Sequence, residues 1–539
     1  MYKRQLHGIA TFLVTLLALE LAPAAVALLA GMVFAVHPVH VEVTANVVGT
    51  AEVLSALLVV AAALVHVRGG ARYGIGRALA VALLYGLAFL SKEGSVTFLG
   101  LVFLLDAFRR DLRFRDLPDY VRRRWVTYAL LVGVAVLVLL GRRAVLGTVA
   151  SAIYPTGAHI LTEVPRIWTV LTTWPFYVQL LVFPFELSAD YGPRVIPIKY
   201  GPSFQGWVGA GVILLFLALS WALWRRAREA TDPLPHRALG FGVLWVVITM
   251  SPVSNLLFLT GILLAERVFY LPSVGFSIAA GWILWIVFQQ RRRMGMALIA
   301  LWIGFLSVRT VTRVPVWRTH FDLFIDLTEH FPQSGRAHWF LGSIYAGQGN
   351  REKALEAWSR AIPLLNGDFV VVSTIADAMA RAGEGELARV LLNQLARDWS
   401  EYRYAIEWAA LGFFTLGDTD DAIRLSRQAL DQGSTNLIVF HVLASGLSRN
   451  GDLEEAVEIR RRGIETQFGS EWSQWLALAG DLNRLGRVEE AVAALDSARE
   501  VRVDDSNLPA LDSMRADWLE SDTLSDFARD LQIPGPNPD

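Results

Sequence analysis

A glycine returns every 34 residues through the last third of the chain, at Gly349, Gly383, Gly417 and Gly451, and then one residue late at Gly486. Five residues after each stands an alanine: Ala354, Ala388, Ala422, Ala456 and Ala491. A fixed period of this length marks a small unit that cannot bury its apolar face alone and stacks on copies of itself. The alanine stands where two helices cross too closely for a longer side chain, so this part of the chain is committed to an α-helical array.

Period and residue types together are those of the tetratricopeptide repeat (TPR). Residues 335–366 carry the pattern most fully, with Leu341-Gly342, Tyr345, Gly349, Ala354, Trp358 and Ala361, and later copies begin near 369, 403, 437 and 472. Residues 316–332, with Trp317, Phe324, Leu327 and Pro332, read as the second helix of a degenerate first copy. Such an array offers a concave groove for an extended peptide or protein, or serves as a scaffold or self-association surface. The last stretch, 520–539 with Pro534, Pro536 and Pro538, is expected to be disordered.

The rest is a different material. The whole chain is 54% hydrophobic with a mean hydropathy of +0.41, and the excess lies in the first 312 residues. A membrane span needs roughly 20 apolar residues. Apolar runs predict helices at about 6–21, 23–36, 50–67, 78–90, 95–107, 125–141, 205–224, 238–251, 268–288 and 294–312. The chain is therefore expected to be all-α, a polytopic membrane domain followed by a TPR α-solenoid. The boundaries predicted are 1–312 for nine or ten membrane helices, 313–334 for a connecting half-repeat, 335–505 for about five repeats and 506–539 for a last helix and tail. A net charge of −1 gives no reason to expect nucleic acid as a partner, and the absence of cysteine excludes disulfides, thiolate metal sites and a Cys nucleophile.

Arginine placement orients the spans. The loops 68–77, 109–124, 225–237 and 289–293 hold the clusters, and all four fall on one side, read as cytoplasmic. The other side then receives His37–Gly49, Ser91–Gly94, the long loop 142–204, the turn 252–267 and the repeat array. This count also puts Met1 on that side, where Lys3 and Arg4 are unwelcome. Three readings of this start are open: one long helix over 6–36, a signal peptide over residues 1–22, or a chain that lacks a first helix.

Four polar clusters converge on the side opposite the arginines. His37-Pro38-Val39-His40-Val41-Glu42 follows an apolar helix that Pro38 stops; it could bind the phosphate or sugar of a lipid-linked substrate, or cap the helix. Metal binding is disfavoured because Pro38 breaks the helical spacing that would align ligands, although a divalent ion is compatible with the chemistry. Lys92-Glu93 forms a second charged turn, where Lys92 could neutralise a phosphate or simply close a hairpin by pairing. Asp190 follows an aromatic stretch, Arg166 to Phe185, that suits a helix lying flat in the interface, and could act as a base, bind a hydroxyl or form a turn. Glu266-Arg267 and Tyr270 enter a span, where charges are costly unless paired or bound to a polar ligand; the guanidinium fork of Arg267 matches phosphate. There is no P-loop, Rossmann fingerprint, HExxH or hydrolase GxSxG.

The segments HPVHVEVTANVVGTAEVLSALL, SKEGSVTFL, PFELSADY and SNLLFLTGILLAERVFYLPSVGF occur in that order, followed by a span and the repeats. This resembles the transmembrane and tetratricopeptide-repeat protein family, which includes protein O-mannosyltransferases of the GT-C glycosyltransferase class. The resemblance covers essentially the whole chain. It implies a polyprenyl-phosphate-linked sugar donor, transfer of a hexose such as mannose to Ser or Thr hydroxyls, and a site on the non-cytoplasmic side, whether periplasm or ER lumen. It also implies a catalytic acid in the first outside loop, after the first helix. Residues 6–21 align with the family's second helix, so that first helix and its acid are expected to be missing. Glu42, Glu93 and Asp190 remain as carboxylates to weigh for catalysis. His37, His40, Lys92, Glu266, Arg267 and Tyr270 remain for substrate binding. The competing expectation is a membrane-anchored TPR adaptor without catalysis.

Overall fold

The computed structural model describes residues 2–69, 74–110, 117–146, 166–192, 195–257, 260, 262–365, 368–466, 472–501 and 512–518. The tail expected at 520–539 and much of the loop 142–204 lie outside the described residues. The chain divides into two compact units, Met1–Ile344 and Tyr345–Asp539. Among the described residues the regular structure is helical throughout.

The first unit begins with α1 (Tyr2–Leu19), α2 (Ala24–Val36), the short α3 (His40–Ala45) and α4 (Thr50–Val67). It continues through α5 (Ile75–Ser91), α6 (Phe98–Arg110), α7 (Leu117–Arg123), α8 (Trp125–Leu146), α9 (Arg166–Val182), α10 (Phe204–Ala227) and α11 (Leu234–Met250). Last come α12 (Pro272–Gln290), α13 (Arg292–Arg313), α14 (His320–His330) and the start of α15 (Gly335–Gly347). Among the described residues, five stretches are long and apolar enough to cross a membrane: Val47–Val67, Trp125–Val145, Phe204–Ala227, Pro272–Gln290 and Arg292–Trp317. Ala24–Val36, Ile75–Ser91 and Leu234–Met250 are apolar but shorter. A shorter helix suffices where neighbours rather than lipid satisfy its ends.

Glycine sets the closest crossings. A Cβ on Gly275 of α12 would lie 2.5 Å from the Trp245 Cβ and 2.7 Å from the Gly242 carbonyl oxygen of α11, so only bare backbone lets these helices meet. The core so closed holds Leu17, Phe34, Val53, Tyr85, Phe98, Phe241, Trp245 and Ile278. Outward, Leu214, Leu215, Trp221, Leu301 and Val311 are exposed on α10 and α13, as lipid-facing helices require.

Arg68, at the end of α4, bonds Glu20 just past α1 at 2.8 Å, so the α1–α2 turn sits at the arginine-rich end. Lys3 donates to the Asn46 carbonyl and His7 Nε2 bonds the Ala35 carbonyl at 3.2 Å, so the N-terminal end of α1 sits with His37 and α3 at the opposite end.

The flat interfacial helix expected over 166–185 is replaced by a helix inside the bundle. Trp168 packs edge-on against Trp207 with centroids 5.1 Å apart, a Cβ on Gly209 would strike the Leu171 carbonyl, and Val178 shares a groove with Phe216. α9 thus runs alongside the first part of α10 in the same direction. The chain then returns, and Lys199 N donates to Thr169 Oγ1 at 2.8 Å. The helix tolerates this burial because Thr172 and Thr173 spend their hydroxyls on the carbonyls of Thr169 and Val170, at 2.6 and 2.7 Å.

The second unit takes in the end of α15 and α16 (Arg351–Leu364) and continues as helix pairs: α17 (Phe369–Arg381) with α18 (Gly385–Asp398), α19 (Arg403–Leu416) with α20 (Thr419–Asp431), α21 (Leu437–Asn450) with α22 (Leu453–Thr466), and α23 (Trp472–Arg484) with α24 (Val488–Glu500). The five periodic glycines follow α15, α17, α19, α21 and α23 with φ between +75° and +93°, the left-handed turn that glycine alone takes freely. The five periodic alanines are all 0% exposed.

A charged cluster opposite the arginine-rich end

The four clusters do gather at one end of the membrane bundle, but each does something different there. At the centre, Arg267 lies on a short 3-10 turn, Glu266–Phe269, and faces α3. Its Nη1 donates to Glu42 Oε1 at 2.5 Å and its backbone N–H donates to Glu42 Oε2 at 2.9 Å. Glu42 is 1% exposed at its side chain, Arg267 20%. Both oxygens of the carboxylate are therefore engaged, whereas Arg267 keeps Nε and Nη2 without a hydrogen-bond partner among the described residues and partly open to a ligand.

Lys92 caps the end of α5 and bonds Glu52 Oε1 at 3.1 Å, with Glu93 Oε1 at 3.8 Å. Glu93 is half exposed and also lies 3.8 Å from Arg142. Glu52 feels the charges of both Lys92 and Arg267. Two partly exposed cations thus meet over one carboxylate. Sequence reasoning missed Glu52 because it sits inside the apolar run of α4, yet an acid in such a run is itself a signal of function.

Glu266 points the other way. It is fully buried, and its Oε1 accepts from Ser188 N at 2.7 Å and from Tyr191 Oη at 3.1 Å. Its Oε2 is buried with no hydrogen-bond partner among the described residues. Burial, reinforced by the Glu42 charge and offset by Arg313, pushes the Glu266 carboxyl up to about 8. Oε1 then serves as the carbonyl oxygen and Oε2 as the hydroxyl. Glu266 therefore tethers the 188–191 segment rather than presenting itself to a ligand.

His37, His40 and Tyr270, expected at the substrate, support the cluster from behind. His37 Nε2 donates to the Leu181 carbonyl at 2.9 Å, and burial takes its pKa down to about 4. His40 Nδ1 donates to the Phe34 carbonyl at 2.9 Å, and its Nε2 lies 2.8 Å from Ser273 Oγ. Burial and the neighbouring His7 and His37 hold His40 well below its ordinary value, so it stays neutral. Tyr270 is 1% exposed, with its hydroxyl 2.8 Å from His7 Nδ1. Asp190 is also set apart: Oδ2 accepts from Ser334 Oγ at 3.0 Å and Oδ1 from Arg336 Nη1 at 3.3 Å, which ties the 188–191 segment to the start of α15. Among the described residues, no group of three His, Asp or Glu side chains is placed to hold a metal ion.

Beside the cluster runs an apolar groove of about 360 Å³, lined along α9, α10, α11, α12 and α13 by Leu181, Phe216, Val246, Phe276, Ala280 and Trp302, among others. Leu181 and Val246 belong to the same packed core as Ala265, Val268 and Phe269, the residues that flank Arg267. Groove and guanidinium are built on one scaffold.

No family model matches the chain. Protein O-mannosyl-transferase TMTC4 of Mus musculus is 28% identical over 368 residues, covering 62% of this chain and 49% of that one. Protein O-mannosyl-transferase Tmtc3 of Drosophila melanogaster is 26% identical over 411 residues, covering 68% and 44%. Human TMTC4 is 28% identical over 372 residues, covering 62% and 49%. The chain resembles the TMTC protein O-mannosyl-transferases. It spans about half the length of the curated relatives it matches. Its apolar helices and these relatives together make it an integral membrane protein. Among solved structures, yeast Tom70 superposes over 92% of this chain and 93% of that one, at 11% identity and a TM-score of 0.32, too loose a likeness to carry any argument.

Proposed function

We propose that the chain binds a polyprenyl-phosphate-linked hexose, mannose in the first instance, and serves its transfer to Ser or Thr hydroxyls of a protein held by the TPR array. The observation that carries this reading is the unspent edge of Arg267, partly exposed beside Lys92 and built on the scaffold of an apolar groove. A polyprenyl phosphate needs those two things together, a fork of N–H donors for the phosphate and a dry channel for the chain. Glu42 orients the guanidinium. As the bond from phosphate to the anomeric carbon breaks, negative charge grows on the departing phosphate, and Arg267 and Lys92 stabilise it. The acceptor hydroxyl must lose its proton in the same step. Of Glu42, Glu93 and Asp190, only Glu93 has neither oxygen held by a close donor among the described residues, with contacts at 3.8 Å, so it is the base to test. This end of the bundle then faces the periplasm in a bacterium or the ER lumen in a eukaryote.

A second reading, a membrane-anchored TPR adaptor, is favoured by one observation: Glu42 and Asp190 both spend their oxygens on protein donors. One experiment separates the two. The full chain in nanodiscs is loaded with polyprenyl-phosphate mannose, and the donor retained is counted. Retention is expected for the natural chain, with at least a tenfold loss in Lys92→Ala and in the paired variant Glu42→Gln/Arg267→Ala, which leaves no buried acid unpaired. Equal retention in all three supports the adaptor.

A further inference from the structure

A second cavity, of about 830 Å³, opens at the far end of α3, with one wall made by Ala45, Asn46 and Val47. The other wall comes from the half-repeat and the first repeat helix: Trp317, Phe324 and Phe340, with Arg318, Thr319 and Ser343 beside them. We propose that this cavity holds an extended polypeptide segment and is the acceptor subsite of the transfer described above, on which reading the acceptor role rests.

Size, chemistry and position all point to a peptide. The volume lies near the top of the ~300–1,000 Å³ range of sites that take a single small ligand, which is more than one hexose fills. The walls are mixed in the way a peptide needs. Phe324 and Phe340 stack with centroids 4.6 Å apart, giving an aromatic floor for an apolar side chain. Asn46 offers a side-chain amide whose N–H₂ donates to no described residue, while its Oδ1 is held by Val48 N at 3.2 Å. Arg318 and Thr319 are exposed, so the cavity opens among polar groups rather than along lipid-facing helices. A prenyl chain already has a wholly apolar groove elsewhere, lined by Leu181, Phe276 and Trp302.

The position ties the cavity to the charged cluster. Asn46 N donates to the Glu42 carbonyl at 2.8 Å, so the cavity wall and Glu42 lie one turn apart on the same short helix. One turn rises about 5.4 Å. A segment resting on Asn46 thus places a hydroxyl within a residue or two of Glu42 and Arg267. Phe340, Ser343 and Ile344 stand at i, i+3 and i+4 on α15, the helix that opens the repeat array, so one face of that helix lines the cavity.

The test uses the full chain in nanodiscs. A photo-crosslinking phenylalanine analogue replaces Phe324, and in a control chain it replaces Trp221 on the lipid-facing side of α10. The probe is a biotinylated peptide with one threonine flanked by valine and alanine. Capture of the peptide at position 324 and not at 221, with competition by unlabelled peptide, is expected. Ala45→Trp and Val47→Trp fill the cavity from exposed positions that do not burden the core. Each is expected to weaken peptide binding by tenfold or more while donor retention stays as in the natural chain. Capture of phospholipid in place of peptide at 324, or equal peptide binding in filled and natural chains, overturns the proposal. Peptide capture without any donor retention upholds a peptide site here and refutes the transferase reading alone.

Discussion

Glu266→Gln should make the protein more stable than its natural form, and increasingly so as pH rises toward 8. Glu266 is fully buried, with an ordinary value of 4.5 raised to about 8 by burial. Unfolded, the carboxyl ionises above about 4.5; folded, it keeps its proton up to about 8. Over that window the native state holds one more proton than the unfolded state, so the proton's contribution is fully present below 4.5 and is lost as pH rises to 8. The gap between the two values, at about 1.4 kcal/mol per pH unit, comes to roughly 5 kcal/mol. Glutamine keeps the carbonyl oxygen that accepts from Ser188 N and Tyr191 Oη, and it does not titrate. The advantage of the variant should therefore grow by about 2 kcal/mol between pH 6 and pH 8 and level off above that. Unfolding midpoints of both proteins, purified in the same detergent and measured in half-unit steps from pH 5 to 9, read this directly. A difference that stays constant from pH 6 to 8 would falsify the buried-acid argument and show that the Glu266 carboxyl titrates alike in the folded and unfolded protein.

Two further perturbations test separate parts of the structure. Arg267→Ala strands the Glu42 carboxylate, 1% exposed, without its cation and should cost about 3 kcal/mol, whereas Glu42→Gln/Arg267→Ala should recover most of it; midpoints of unfolding at pH 7 compare the two. In the repeat array, Gly417→Ala forces a side chain onto a backbone at φ +83° and should cost about 1–2 kcal/mol, while Gly385→Ala, in helical backbone with open space around its Cβ position, should be neutral or stabilising by up to about 1 kcal/mol; thermal unfolding of the full chain distinguishes them.

The repeats were legible because each carries its own instructions. Gly383 turns its chain through a left-handed conformation and Ala388 lets its helices cross, both within one 34-residue unit, so the pattern can be read without knowing what packs against it. The apolar helices were legible for a similar reason, since a span is a local property of composition. α9 was not. Its aromatic residues suit an interface, and only the hydrogen bonds from Thr172 and Thr173 back to their own helix show how its polar positions are buried in the bundle.

The charged cluster shows where local reading stops. Glu42 and Arg267 stand 225 residues apart, and no spacing rule pairs them; each could be named as a charge near the end of a span, but not as the other's partner. Glu266 and Arg267 are harder still. Adjacent in sequence, they read as one polar step into the membrane, and both were assigned to the same ligand. The 3-10 turn they occupy sends them apart, Arg267 to α3 and Glu266 to the 188–191 segment. The consequence is a division of work between neighbours. Arg267 remains partly exposed and has donors to spare, which a phosphate can use. Glu266 is buried without an exposed atom to offer, and its Oε1, accepting from Ser188 N and Tyr191 Oη, fixes the segment whose Asp190 holds Ser334 and Arg336. Exchanging the two side chains would conserve composition and charge, yet it would set a cation against Ser188 N–H and a carboxylate against Glu42. The order Glu-Arg, rather than the presence of either residue, is what this end of the bundle requires.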